Sequence, residues 1–483
     1  MTTNRIFQGS SLLFVRLSTT RNAVTHNHFH KHYSNRFSIP LDKNKASKVK
    51  YLRYITGSIV ISGIGSSIYY YFQKEKRPIN NLDNQQHKII LSPTEATLKL
   101  RENQLSFLLH RNNGVYRYDT NQLASNSPIE DTKYEEIDSS TKNDGDRLFF
   151  GVFDGHSGWN TSKLLSKKLV PTVKEQLNKA YDGCGEYAKL FHNKGELVKK
   201  AIQKGFVELD EEIVFHSIDR LLNTPTNEPG GISYINESLL SALSGSCALL
   251  AYIETATNDL YIACTGDSRA IMGVKDSTGE WKALQLSEDQ TGRNENEVSR
   301  LSEEHPGESN IITNGRVFGG LEPTRAFGDA KYKWDRNLQE IIYTKFFKEK
   351  RKVPGNDKFR TPPYVIARPE VIHHKIEADD KFLVLATDGL WEKLSNTEVI
   401  ELVGRLIDER RNGKDGDDSK ELIMSKSKKA FAFVDENAST HLIRNALGGA
   451  SEDALCAILS LPAPMSRRWR DDITVTVVFF GKD

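Results

Sequence analysis

Five short apolar runs constrain the fold of this chain more than any other feature of its sequence. Each run is five to eight residues long, and together they are rich in Phe, Val, Ile and Leu and bounded by Gly, Asp and Asn. Such runs predict strands that are buried on both faces. They occupy residues 148–153, 248–253, 260–264, 382–386 and 473–480.

Helical patterns lie between these runs. Residues 159–179 and 194–215 are predicted helices. The tetrapeptide Ser92-Pro93-Thr94-Glu95 predicts a helix start, because it offers a polar cap, a proline in the first turn and an acid two residues later. Strands and helices mix without the regular βαβ alternation of a parallel sheet. This mixture favours an α+β layered fold that begins near residue 91.

Aspartates stand at the ends of four of the predicted strands. Asp154 and Asp388 directly follow two of the runs, and Asp267 lies three residues beyond a third. Asp471 and Asp472 directly precede the last run. If these strand ends share one edge of the sheets, the carboxylates converge and cannot all stay ionised without a cation.

The chemistry of these residues indicates which cation would bind. Oxygen ligands, with no cysteine and a single histidine among them, suit Mg²⁺ or Mn²⁺ rather than zinc or copper. The alternative for any one Asp-Gly pair is an ordinary turn. Because the pattern repeats after several buried strands, the residues alone predict a metal-assisted hydrolase.

The charges of the chain are unevenly distributed. The formal net charge is +2, but residues 1–54 carry ten basic and one acidic side chain, so the remainder carries −7. This main body is therefore not expected to bind nucleic acid. A hydrophobic fraction of 38% excludes collagen, a coiled-coil rod, a multi-span membrane protein and a wholly disordered chain. Four cysteines without CxxC spacing predict core residues or free thiols: Cys184, Cys247, Cys264 and Cys456.

The N-terminal region has the composition of a targeting segment. Residues 1–37 contain Arg, Ser, Thr and Asn but no acid, which predicts a mitochondrial transit peptide over about residues 1–50; a disordered basic tail is the alternative. Residues 54–72 are uncharged and flanked by Lys and Arg, which predicts one span of the inner membrane; a buried segment is the alternative. Residues 73–90 are a predicted linker. This order places the body in the intermembrane space, with the matrix left open.

Five motifs resemble, in order, the signature blocks of the type 2C metal-dependent protein serine/threonine phosphatases. The resemblance covers the chain from about residue 91 to its C-terminus and implies that 91–483 is one catalytic domain. The implied fold is a four-layer αββα sandwich, in which two antiparallel sheets are flanked by helices. The motifs are GVFDGH at 151–156, GDSRA at 266–270, RAFGD at 325–329, ATDGLWE at 386–392 and RDDITV at 470–475.

The resemblance also implies roles for individual residues. Asp154 matches the carboxylate that bridges two metal ions, and Gly155 matches a ligand through its carbonyl. His156 matches the general acid. The implied ligands of the two Mg²⁺ or Mn²⁺ ions are Glu130, Asp131, Asp154, Gly155, Asp388 and Asp471, with Asp267 and Glu392 for the third ion that some members bind.

A finer similarity points to one branch of the family. Residues 127–131, 297–306, 323–334 and 362–364 resemble the pyruvate dehydrogenase phosphatase branch. The implied substrate is a phosphoserine of the pyruvate dehydrogenase E1α subunit, which dephosphorylation activates. Asn126 stands where most members have a phosphate-binding arginine, so a simple arginine clamp at this position is not expected.

These residues predict a mechanism and leave two alternatives. Two divalent ions would acidify a bridging water, whose hydroxide attacks phosphorus while His156 protonates the leaving oxygen. The alternatives are the same chemistry on another mitochondrial phosphoprotein and an inactive relative that binds phosphoproteins.

Arg325 and Asp329 are expected to form either a structural ion pair or a substrate contact. Trp391 is expected to pack in the core, residues 297–305 to form a surface flap, and 410–429 to form a solvated loop.

Overall fold

The computed structural model describes residues 90–109, 114–139, 145–184, 194–223, 231–346, 359–411, 421–424 and 430–481. The predicted transit peptide, the candidate membrane span and all but the last residue of the predicted linker lie outside these ranges. Among the described residues, no helix combines the length and the apolar character needed to cross a bilayer.

The five predicted strands are confirmed, and other strands pair with them. In chain order the strands are β1 Leu105–Leu108, β2 Val115–Leu123, β3 Thr132–Asp138, β4 Arg147–Phe153, β5 Gly155–His156, β6 Gly245–Ser246, β7 Ala248–Glu254, β8 Asp259–Thr265, β9 Arg269–Lys275, β10 Trp281–Gln285, β11 Ile312–Thr313, β12 Arg316–Val317, β13 Phe327–Gly328, β14 Glu370–Lys375, β15 Asp380–Ala386, β16 Glu421–Met424, β17 Ala430–Phe433 and β18 Ile473–Phe480.

The predicted helices are also present. The α-helices are α1 Pro93–Arg101, α2 Asn160–Cys184, α3 Lys194–Glu211, α4 Ser217–Asn223, α5 Gly231–Leu243, α6 Glu295–Glu304, α7 Arg336–Phe346, α8 Asp388–Trp391, α9 Asn396–Arg411, α10 Ala438–Leu447 and α11 Glu452–Ser460. A π-helical segment, Glu212–His216, joins α3 to α4, and 3-10 turns form at Ala330–Tyr332 and Met465–Arg468. The predicted start of α1 is confirmed, because Ser92 and Glu95 form a capping box.

Two large antiparallel sheets form the centre of the fold. One has the strand order β1-β2-β18-β15-β9-β10, and the other has the order β14-β8-β7-β4-β3. The period of two along each strand explains the layering. In β4, Phe150 and Val152 pack between the sheets, whereas Phe149 and Phe153 pack against α2 and α3.

Helices cover the outer face of each sheet. Residues of β15 and β18 such as Val384 and Val477 pack against α1, α9, α10 and α11. The outer face of the other sheet packs against α2 to α5, and Trp334 is fully buried in the same layer. The four-layer αββα sandwich expected from the sequence is therefore confirmed.

Two expectations about surface segments need correction. Residues 410–429 are not one solvated loop, because α9 continues to Arg411 and β16 pairs with β17 in a hairpin. Residues 297–305 do lie in a helical segment outside the sandwich, but Glu297 is buried at 1% exposure. This segment packs on a small separate apolar cluster that includes Leu301, Val317 and Tyr364. Trp391 packs against the core as expected and donates to the Ala386 carbonyl at 2.9 Å.

Candidate active site

Three of the aspartates at strand ends meet at one edge of the sandwich. Carboxylate oxygens of Asp154, Asp267 and Asp388 lie within 4.8 Å of one another. Asp154 follows β4, Asp267 follows β8 and Asp388 follows β15, so the two large sheets together position the group. The predicted convergence of these side chains is confirmed.

The electrostatics of this group fit a bound cation. Burial raises the pKa of Asp154 and of Asp388 well above the usual range, and the neighbouring carboxylates raise both further. Burial also raises the pKa of Asp267 to about 6. Oδ1 of Asp388 is buried and has no hydrogen-bond partner among the described residues. A divalent cation would satisfy this oxygen and offset the repulsion, so the donor set fits Mg²⁺ or Mn²⁺.

Asp131 lies behind this group and is almost fully buried. Its Oδ2 accepts hydrogen bonds from the hydroxyls of Thr387 at 2.9 Å and Thr474 at 2.7 Å. Burial raises its pKa well above the usual range, and the charge of Asp472 adds to the effect. Asp131 is thus held by the strand ends that carry Asp388 and Asp471.

Glu130 and Gly155 lie in direct contact. The Glu130 carboxylate accepts from the Gly158 amide at 2.6 Å and from the Asn126 side chain at 3.0 Å. A Cβ atom on Gly155 would clash with the Glu130 carbonyl oxygen, so only glycine permits this approach. These two predicted metal ligands therefore lie at one contact, which the loop before β3 makes with β5.

Asp472 organises the loop that carries Glu130, a role that the sequence did not reveal. Its carboxylate accepts from the backbone amides of Ser125 at 2.5 Å, Asn126 at 3.0 Å and Glu130 at 2.8 Å. The preceding Asp471 faces the site. The only sequence signal for this division of roles is the doubled aspartate before β18.

Asp471 lies at the accessible side of the acidic group. Burial raises its pKa to about 6, although the Arg467 guanidinium opposes the shift. Arg467 Nη1 lies 2.6 Å from Asp471 Oδ2. Glu392, the expected ligand of a third ion, is half exposed and lies 3.4 Å from Lys393. Its charge still contributes to the raised pKa values of Asp388 and Asp471.

His156 forms an ion pair with Asp329. The distance from Nε2 to Oδ2 is 2.5 Å, and the Asp329 side chain is 3% exposed. Burial alone would lower the pKa of His156, but the Asp329 carboxylate outweighs it and the pKa is raised. Asp329 has a φ of +49°, in the left-handed region, which places strain next to the site. A Cβ on Gly245 would clash with both side chains, so the pair needs this glycine.

Arg325 and Asp329 form ion pairs, but not with each other. Arg325 is 5% exposed and pairs with Glu297, Nη2 to Oε1, at 2.5 Å. It also donates to the Arg368 carbonyl at 3.0 Å. Of the two alternatives for Arg325, these contacts favour a structural ion pair, although with Glu297 and not with Asp329.

Cys247 also contacts the acidic group, and no sequence pattern indicated this contact. Its Sγ donates to Asp267 Oδ1 at 3.2 Å, and its amide donates to the Asp154 carbonyl at 2.8 Å. Burial raises the pKa of this thiol, so it stays protonated and remains a donor. Cys247, Cys264 and Cys456 are free and buried, as expected from their spacing.

One known protein family matches most of this chain. The profile of the family described as "Protein phosphatase 2C" matches residues 120–454. The chain belongs to the protein phosphatase 2C family. The chain is therefore a hydrolase of this family.

Several curated members of the 2C family are similar over most of their length. A protein phosphatase 2C homolog from Schizosaccharomyces pombe is 38% identical, over 91% of this chain and 97% of its own. Mitochondrial pyruvate dehydrogenase phosphatase 1 from Saccharomyces cerevisiae is 39% identical, over 82% of this chain and 74% of its own. The human protein of the same name is 32% identical, over 82% and 84%.

A solved 2C structure is also similar. The serine-threonine phosphatase 2C from Toxoplasma gondii aligns with 78% of this chain and 99% of its own, at 18% identity and a TM-score of 0.46.

Proposed function

We propose that this phosphatase removes phosphate from a phosphoserine of the pyruvate dehydrogenase E1α subunit in mitochondria, and so activates that enzyme. The names of the yeast and human relatives support the substrate and the compartment. The observation that carries the chemistry is the convergence of Asp154, Asp267 and Asp388 beside a histidine whose pKa is raised.

The acidic group would hold two divalent ions, Mg²⁺ or Mn²⁺. Asp154 would serve both ions, Asp388 and Asp471 the first, and Glu130 with the Gly155 carbonyl the second. Asp131 would orient the group from behind. A third ion would use Asp267 and Glu392.

His156 would act as the general acid. Divalent ions, when bound, supply a water of lowered pKa and neutralise charge on the phosphoryl oxygens. The departing serine oxygen is strongly basic and needs a proton. Asp329 raises the pKa of His156, which favours the protonated imidazole that a general acid needs. Nε2 is bonded to Asp329, so Nδ1 is the nitrogen from which the proton would leave.

The N-terminal residues would address and anchor the enzyme. We propose a transit peptide over 1–50, an inner-membrane span over 54–72, a linker over 73–90 and a catalytic domain over 91–483. Acid-free, Arg-bearing composition supports the first, and an uncharged 19-residue run flanked by basic residues supports the second. Protease treatment of mitochondria with ruptured outer membranes tests the topology. Digestion of the C-terminus would place the body in the intermembrane space, away from a matrix substrate.

The substrate proposal is tested with phosphorylated E1α and the full 483-residue chain. We expect phosphate release and recovery of pyruvate dehydrogenase activity only when Mg²⁺ or Mn²⁺ is present. The variant Asp154→Asn should fold and release no phosphate. Equal rates on E1α and on unrelated mitochondrial phosphoproteins would contradict the substrate assignment, and activity in excess chelator would contradict the mechanism.

A further inference from the structure

The position at which most 2C phosphatases carry a phosphate-binding arginine is occupied here by Asn126. Its side chain is already engaged, because Nδ2 donates to Glu130 at 3.0 Å and to Asp472 at 3.3 Å. An amide also lacks the positive charge that favours a phosphoryl dianion. A cationic side chain from another part of the chain would supply the charge that Asn126 lacks.

Several basic residues near the motifs are committed elsewhere. Arg325 is buried against Glu297, and Lys333 is buried against Asp210 at 2.6 Å. Arg269 pairs with Asp289 at 2.6 Å. Arg470 is adjacent to Asp471 in sequence, but it is only 3% exposed and so cannot meet a phosphoprotein surface.

Arg467 also pairs with a carboxylate, but its side chain is far more exposed than those of Arg325, Lys333 and Arg269. It lies on the 3-10 turn Met465–Arg468, and its side chain is 48% exposed. The turn is fixed to the site, because Ser466, buried within it, donates to the carbonyl of Ser125 at 2.5 Å. Nη1 of Arg467 contacts Asp471, whose charge acts directly on Asp154 and Asp388. The guanidinium is thus next to the acidic group and open to solvent.

We propose that Arg467 is the phosphate anchor of this phosphatase and binds the phosphoryl oxygens in place of the arginine that Asn126 replaces. A guanidinium has five N–H donors in a planar fork. The shortest contact with Asp471 is made by Nη1, and the fork has further N–H groups that would donate to a phosphate. The ion pair with Asp471 positions the Arg467 guanidinium at the accessible side of the acidic group. This inference rests on the proposed phosphatase function and names the residue that receives its substrate.

The test uses the full chain and a matched pair of variants. Arg467→Ala and Arg468→Ala remove the same charge from adjacent exposed positions of one turn, but only Arg467 contacts the site. Steady-state rates are measured with a phosphoserine peptide and Mn²⁺, together with inhibition by inorganic phosphate. Calorimetry measures phosphate binding to the Mn²⁺-loaded protein, and thermal unfolding reports folding.

We expect Arg467→Ala to raise both KM and the phosphate inhibition constant by about ten-fold or more, because charge-assisted bonds to phosphate are lost. At saturating Mn²⁺, kcat should stay within about two-fold of wild type. Arg467→Lys should recover part of the loss, since it keeps the charge without the fork. Arg468→Ala should match wild type.

Three outcomes would contradict the proposal that Arg467 binds the substrate phosphate. Phosphate binding and KM of Arg467→Ala could equal those of wild type. Arg468→Ala could show the same loss, which would indicate a general charge effect. The variant could change only the Mn²⁺ dependence, which would show that Arg467 serves Asp471 alone. A wild-type chain without peptide phosphatase activity would instead overturn the proposed function, and the calorimetric comparison would still decide the role of Arg467.

Discussion

His156 and Asp329 form an ion pair at 2.5 Å although 173 residues separate them in the chain. The pair joins β5, which carries a candidate metal ligand, to the loop that follows β13. Its consequence is chemical, because the raised pKa of His156 extends the pH range in which the imidazole can donate a proton.

The first prediction concerns the variant Asp329→Asn. Loss of the carboxylate lowers the pKa of His156, so the imidazole loses its proton at a lower pH than in wild type. We expect the alkaline limb of the kcat profile for a phosphoserine peptide to move to lower pH. At about pH 8, kcat should fall by about ten-fold or more.

The control for Asp329→Asn is a substrate whose leaving group needs no proton. With p-nitrophenyl phosphate, the variant should lose much less activity at every pH. An unchanged profile with the peptide would show that Asp329 is structural and does not tune the histidine.

The second prediction concerns metal removal and pH. Asp267 and Asp471 have pKa values raised to about 6, above the unfolded value of 3.8, so the folded state binds more protons between these values. The free energy of unfolding of the metal-free protein should therefore fall as pH rises from about 4 to about 6. The raised pKa values of Asp154 and Asp388 contribute to this loss in the same direction.

Mn²⁺ should reverse this loss of stability. Because the ion binds only the folded site, it should raise the melting temperature more at neutral pH than at about pH 5. The variant Asp388→Asn should flatten the pH dependence and weaken the Mn²⁺ effect. A metal-free protein that becomes more stable as pH rises would contradict the repulsion within the acidic group.

The third prediction separates Asp472 from its neighbour Asp471. Asp472→Ala leaves the amides of Ser125, Asn126 and Glu130 without their acceptor, which should cost roughly 3 kcal/mol or more of unfolding free energy. Denaturation in urea measures this loss. Asp471→Asn should abolish peptide phosphatase activity with little loss of stability, so equal destabilisation by both variants would contradict the division of roles.

The fourth prediction uses two glycines as a matched pair. In Gly155→Ala the new methyl group clashes with the Glu130 carbonyl, which should raise the Mn²⁺ concentration needed for activity. In Gly245→Ala it clashes with His156 and Asp329, which should lower kcat and leave the Mn²⁺ requirement near wild type. Metal titrations of both variants distinguish these effects, and identical behaviour would mean that the two halves of the site are not separable.

The sequence predicted the strands and the carboxylates at their ends because both depend on local order. Residues 148–153 and 382–386 are apolar throughout, so burial on both faces is visible without knowing their partners. The aspartate that follows each strand is then placed by geometry alone. The four-layer arrangement was predicted from the resemblance of the motifs to the type 2C phosphatases.

Contacts between distant segments could not be predicted in this way. Arg325 pairs with Glu297 rather than with Asp329, and this pairing depends on tertiary packing that no local pattern predicts. Cys247 was interpreted only as a core residue or free thiol, since its contact with Asp267 depends on the pairing of β7 with β8. The charged composition of 410–429 hid a hairpin, because edge strands tolerate charge.

The place of β18 in the six-stranded sheet has a consequence for biosynthesis. This strand lies between β2 and β15, yet it is the last strand of the described chain to leave the ribosome. Until residue 480 is free, β2 and β15 lack the partner between them and Asp471 has no fixed position. A nascent chain therefore completes the six-stranded sheet and fixes Asp471 only after residue 480 has left the ribosome.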